Sequence, residues 1–225
     1  MNTCLSRRRF MTTGSAIAAL SGLSLSPAAA LAAAIGGSRL DPTDMQVLFA
    51  DLQASTVAQS ATTPAFSLSR AAGALAKVAS IVQMPSTFSV VAENDAPPVL
   101  IPELRPFATA ENTIQRTPVN PFHDRRTVEA LARSGRKTLV IAGFAMEIVV
   151  AQSVLDAIEE GYTVFHVVDA SGGLSRGGED AALEMMARAG STPTSVVGLV
   201  TRLVNDFEGP TGKQVWAAVQ LLSMR

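Results

Sequence analysis

From residue 41 onward, short apolar runs that end on a polar residue alternate with longer stretches whose apolar positions recur every three to four residues. That alternation constrains the fold more than any other feature of the chain. Runs of four to six apolar residues without an inside–outside rhythm suit strands covered on both faces. They fall at 47–50, 87–91, 112–116, 138–142, 163–168 and 194–197, the last with scope to continue past Gly198 to Leu199. Helical spacing covers 67–84, 125–134, 147–160 and 178–189, with Gly135, Gly161 and Gly190 placed to end three of them and Pro85 to stop the first. Residues 94–106 hold four prolines and are expected to form an irregular loop. Six strands interleaved with helices predict an α/β fold, a three-layer α/β/α sandwich around a six-stranded, mainly parallel sheet. In such sheets ligands bind beyond the carboxyl ends of the strands. Asp51, Arg116, Gly143 and Asp169 each end or follow a strand, so one rim is expected to carry all four.

The composition fits one compact domain behind a short leader. Hydrophobic residues make up 48% of the 225 and charged residues 16%, too apolar for a disordered chain. Residues 1–34 hold Arg7, Arg8 and Arg9 and no acid. Paired arginines, a polar start, a diluted apolar stretch and alanines at signal-peptidase spacing predict a twin-arginine (Tat) signal peptide over 1–34. Pro27 and the Gly/Ser content of that stretch argue against a retained membrane anchor. The expected partner in export is therefore the Tat machinery, and the expected location periplasmic or secreted. The mature protein is expected to comprise a domain at 41–208 and a helical tail at 209–225. No clustered basic surface points to nucleic acid.

The single cysteine, Cys4, lies in the leader, so the mature protein has no thiol for a disulfide, a metal or a nucleophile. His123 and His166 stand apart and form no metal-ligand pattern, and no dinucleotide or P-loop fingerprint is present. No metal or cofactor is expected.

Several segments together resemble the isochorismatase-like cysteine hydrolases. Lys137 to Val150, with Gly143-Phe144-Ala145-Met146-Glu147, is similar to the family signature, and Ala157 to Phe165 and Val168 to Gly173 continue it. Phe49-Ala50-Asp51-Leu52-Gln53, Pro102-Glu103-Leu104 and Gln115-Arg116-Thr117-Pro118 fit upstream. The resemblance spans about 41–207 and implies an acid, a cation and a cysteine at a helix start. Carried over, the acid is Asp51, the cation Arg116 and the cysteine position Val149. Met146 stands where the family usually has threonine. Gln53, Phe144, Met146, Glu147 and His123 are the candidate ligand contacts.

Valine has no lone pair, so the family's covalent acyl transfer is closed at that position. Ser153, one turn later, has no histidine placed to activate it. Isochorismatases proper lack the cysteine and cleave a vinyl ether, so a hydrolase without a covalent step stays open. The expected function is to bind or hydrolyse a small molecule without a thiol, in a homo-oligomer. The alternatives are a pseudoenzyme that binds without turnover and a purely structural subunit.

Overall fold

The protein is described by a computed structural model over residues 39–92, 97–220 and 222. The proposed leader lies outside the described residues. Six strands form one sheet, β1 (Met45–Ala50), β2 (Ser86–Val91), β3 (Thr113–Arg116), β4 (Thr138–Gly143), β5 (Thr163–Val167) and β6 (Thr192–Thr194). Their order is β3-β2-β1-β4-β5-β6 and every pairing is parallel. The order reverses at β1, the first strand, which pairs with both β2 and β4. That reversal is the crevice where open α/β sheets bind ligands.

Successive strand residues point to opposite faces, so each face has its own core. Val47, Phe49, Phe88, Val140, Ala142, Phe165 and Val167 face one side. They meet helices α2 (Ala65–Ile81), α6 (Val196–Leu203) and α7 (Pro210–Gln220), which follow a first short helix, α1 (Ala54–Val57). The Phe49 and Phe88 rings stack there at 5.1 Å. Leu48, Ala50, Leu139, Ile141 and Val164 face the other side. They are covered from α3 (Arg125–Arg133), α4 (Ala151–Glu159) and α5 (Arg176–Ala189). Burial on both sides explains why the strands read as unbroken apolar runs. Asp124, Ser175 and Ser195 accept backbone N–H bonds as caps of α3, α5 and α6. Val215 and Val219 of α7 join the first core.

Two sequence expectations change. The sixth strand is not 194–197. It is the three-residue edge Thr192–Thr194, and Val196 begins a helix. Two adjacent valines resemble a strand, but Ser195 accepts from Gly198 N at 3.0 Å and starts α6 instead. The helix expected over 147–160 is also divided. Met146–Val150 form a π-helical turn before α4 begins at Ala151. Such turns occur often at functional sites.

His166 sits on β5 inside the second layer, 1% exposed. Ser191 Oγ donates to Met186 O, so His166 Nδ1–H donates to Ser191 Oγ at 3.0 Å and Nε2 is left as a buried acceptor without a partner among the described residues. Burial depresses the imidazole to about 4. The unfolded chain protonates first, near the ordinary 6.5, so stability from this group falls as pH drops from about 6.5 to about 4. His166→Phe is expected to move the acid-unfolding midpoint to lower pH, followed by circular dichroism. An unchanged midpoint would rule this out.

Candidate active site at the strand ends

β1 ends at Ala50, and Asp51 then adopts φ +54°, in the left-handed region that side chains rarely occupy. Two contacts hold it there. Asp51 N donates to Ser89 O at 2.8 Å, and the Thr56 hydroxyl donates to Asp51 O at 2.5 Å. β1 and β3 are separated by β2, about 9–10 Å across two strand spacings. Arg116, the last residue of β3, spans that gap: its Nη2 donates to Asp51 Oδ2 at 2.7 Å and its Nη1 to Pro118 O at 3.0 Å.

The pair is buried, Arg116 at 1% and Asp51 at 8% exposure. Asp51 Oδ1 and Arg116 Nε have no hydrogen-bond partner among the described residues. Burial pushes the Asp51 carboxyl up to about 6, with the Arg116 charge and hydrogen bond pulling the other way. A carboxyl titrating there can exchange a proton near neutral pH, as a general acid or base must. Strain, an orphan oxygen and a displaced titration coincide at one residue.

The opposite wall is the β4 end. Phe144 N donates to Ala50 O at 3.1 Å, Gly143 N to Ser171 Oγ at 3.1 Å, and Met146 N to Gly172 O at 2.8 Å. The Phe144–Ala145 peptide is cis. Val149 is 1% exposed and packs in the second core with Leu48, Ala50 and Met146. Its carbonyl accepts from Ser153 Oγ at 2.7 Å, so that buried hydroxyl is committed to the helix backbone.

The remaining candidates divide. Phe144 is almost buried at the wall, bridged to Gly172. Met146 is wholly buried. Glu147 Oε1 accepts from Leu174 N at 2.9 Å and Ser175 N at 3.2 Å, which fixes the loop after β5. Gln53 is fully buried and its amide pairs with Val91 N and O at 2.9 and 3.0 Å. It stitches the β1 exit to β2, and its amide is engaged with the chain itself, unlike a ligand contact. His123 is exposed and lies 3.2 Å from Asp156 Oδ2, to which Asn120 also donates. Asp169 caps α6 by accepting from Val196 N at 2.9 Å, so it orients a helix later than the one directly after it.

Thr56 and Ser171 were not among the sequence candidates. A hydroxyl two to five residues past a strand-end acid was the available signal for Thr56. No group of three or more metal-ligating side chains gathers among the described residues. A groove of about 550 Å³ between α2 and α7, lined by Arg70, Lys77, Glu103 and Ala217 among others, contains neither Asp51 nor Arg116.

The isochorismatase domain family matches residues 43–197. The probable hydrolase YcaC of Escherichia coli K12 is 30% identical over 176 residues, covering 76% of this chain and 85% of that protein. Its crystal structure, described as an octameric hydrolase of unknown specificity, superposes with a TM-score of 0.74 over 80% of this chain and 90% of that one. YcaC of Pseudomonas aeruginosa, solved with hexane-2,5-diol and covalent acrylamide, is 29% identical with a TM-score of 0.74 over 82% and 95%.

Proposed function

This chain belongs to the isochorismatase family, and from that premise we propose that it hydrolyses a small molecule without a covalent enzyme intermediate, with Asp51 as the proton-transferring group. One observation carries the reading: Asp51 has one carboxylate oxygen on Arg116 and the other without a partner among the described residues, with its carboxyl pushed up to about 6. Oδ1 takes a proton from water as its oxygen bonds to the substrate carbonyl carbon; the tetrahedral adduct then collapses with cleavage of the C–N or C–O bond, and the proton passes from Oδ1 to the departing amine or alcohol. Arg116 holds Oδ2 and balances the carboxylate. Val149 occupies the position of the family's cysteine, which supports a route in which water is the nucleophile.

On this reading the chain is exported by the Tat route to the periplasm or beyond, residues 1–34 are removed, and 41–208 forms the hydrolase domain with 209–225 as its helical tail. Assembly into a homo-oligomer is supported by the octameric YcaC structure.

Purified mature protein should turn over at least one member of a panel of amides and esters. Asp51→Asn should lower that rate by about 10²–10⁴-fold, the usual contribution of a positioned acid or base. The wild-type rate should rise with pH through about 6 as the carboxylate forms. Turnover that persists in Asp51→Asn would reject the assignment. Turnover gained only in Val149→Cys would establish the binding-only reading in its place.

A further inference from the structure

We propose that Glu147 and Glu179 together hold a calcium ion, which clamps the loop after β5 to the turn after β4. It is a structural ion, apart from any chemistry at Asp51.

Glu147 belongs to the π-helical turn Met146–Val150, and Glu179 to the first turn of α5. Glu147 is half engaged. Its Oε1 accepts from Leu174 N at 2.9 Å and Ser175 N at 3.2 Å, while Oε2 is buried with no hydrogen-bond partner among the described residues. Glu179 is 7% exposed, and its Oε2 is likewise buried without a partner there. The two orphan oxygens converge beside Gly173. A Cβ added to that glycine would stand 2.9 Å from Glu147 Oε2 and 3.3 Å from Glu179 Oε2. The oxygens are therefore no further apart than those two lengths laid end to end. Any side chain at 173 would enter the space they face, and glycine keeps it clear.

No protein cation neutralises the pair. None of the ion pairs among the described residues includes either carboxylate, and Arg176, three residues before Glu179, joins neither. The start of α5 favours negative charge, but the amides of Leu174 and Ser175 reach Oε1 and not the converging oxygens. Acidic groups are rarely buried without a partner, and converging carboxylates repel. A hard cation with oxygen ligands at about 2.3–2.6 Å satisfies both at once. No third acidic, histidine or cysteine ligand joins them among the described residues, so the donor set is oxygen alone and disfavours transition metals. Because the oxygens are buried, a cation reaching both must shed much of its water, which magnesium does reluctantly.

The ion would reinforce an existing junction. Met146 N donates to Gly172 O at 2.8 Å and Gly143 N to Ser171 Oγ at 3.1 Å, so the loop that carries Gly173 is already bonded to the β4 exit. Glu147 grips that loop from the β4 side, and Glu179 lies where it runs into α5.

The test uses the whole purified protein, stripped with EDTA and titrated by calorimetry with calcium chloride and, separately, magnesium chloride in about 0.15 M sodium chloride. One calcium per chain is expected, with a Kd of about 10⁻⁴–10⁻³ M, the weak end for calcium sites. Magnesium should bind more weakly. Glu179→Gln and Glu147→Gln should each lower calcium affinity about tenfold or more; the second retains an oxygen for Leu174 N and Ser175 N, so the loop keeps its bonds. Asp180→Asn, at the exposed acid next door, should bind as wild type does. Calcium should also raise the wild-type Tm and slow hydrogen exchange across residues 168–180, with neither effect in Glu179→Gln. Absence of saturable calcium binding by wild type overturns the proposal. So does binding that both glutamine variants retain, or that Asp180→Asn loses equally, since either marks general attraction to surface acids. Magnesium bound as tightly as calcium overturns the choice of ion. A Glu179→Gln protein that melts above wild type while calcium changes nothing identifies two carboxyls sharing a proton, and also overturns the site.

Discussion

Arg116→Met is expected to lower the unfolding free energy at pH 8 by about 3–5 kcal/mol, the usual result of stranding one member of a buried ion pair. The substitution keeps the apolar stem and removes the charge that faces Asp51 Oδ2 at 2.7 Å. Asp51 stays buried, and without the guanidinium its carboxyl rises further above the 6 it already reaches. The sign of the pH dependence follows. A group whose native titration lies above the unfolded value of 3.8 contributes stability below that value and loses it as pH climbs through the native one. The variant should therefore run parallel to wild type up to about pH 6, where both hold a protonated Asp51, and fall away from it above pH 6, where only wild type has Arg116 to stabilise the carboxylate. Asp51→Asn combined with Arg116→Met removes both charges, and its stability at pH 8 should exceed that of Arg116→Met alone. Urea unfolding of the four proteins of this cycle at pH 4.5 and pH 8 provides the measurement. An Arg116→Met protein as stable as wild type at pH 8 would mean that the two charges are not coupled as the geometry requires.

The sheet was legible because its strands are covered on both faces and so appear as apolar runs, 138–143 most plainly. β6 was not legible for the opposite reason. It is a three-residue edge containing Pro193, and the valines just beyond it belong to a helix whose start is set by one serine–backbone bond. At the site, the expectation of parallel strands was enough to put Asp51 and Arg116, each at a strand end, on one rim. Their direct contact needed the reach of an arginine across β2, which no linear pattern encodes. Gln53 shows a harder limit. A glutamine two residues past a strand-end acid can face a ligand or pair with a neighbouring backbone, and its sequence context is the same in both cases. The left-handed backbone at Asp51 and the π-turn at Met146–Val150 are likewise set by tertiary contacts, from Thr56 and Ser89 in the first case.

Gly143→Ala is expected to cost about 3 kcal/mol or more, at the upper end of the range for overpacking a core. Gly143 closes β4 opposite Ala50 of the central strand. An added Cβ would lie 2.4 Å from Ala50 O and 3.1 Å from Ala50 Cβ. The obstructing atom is a backbone carbonyl, which cannot rotate aside as a side chain can. It is also committed, accepting from Phe144 N at 3.1 Å, while Gly143 N donates to Ser171 Oγ. Relief requires β1 and β4 to separate at their ends, one residue from Asp51, so the variant should also weaken ligand binding at the Asp51 site. Gly177→Ala is the matched control. It lies in the first turn of α5, nothing lies within 4 Å of its added Cβ, and its backbone is not left-handed. There the gain in helix propensity should leave stability unchanged or raise it by up to about 1 kcal/mol. Equal urea midpoints for Gly143→Ala and wild type would mean that the β1–β4 exit has slack, and that Asp51 is not held in place by the close approach of the two strands.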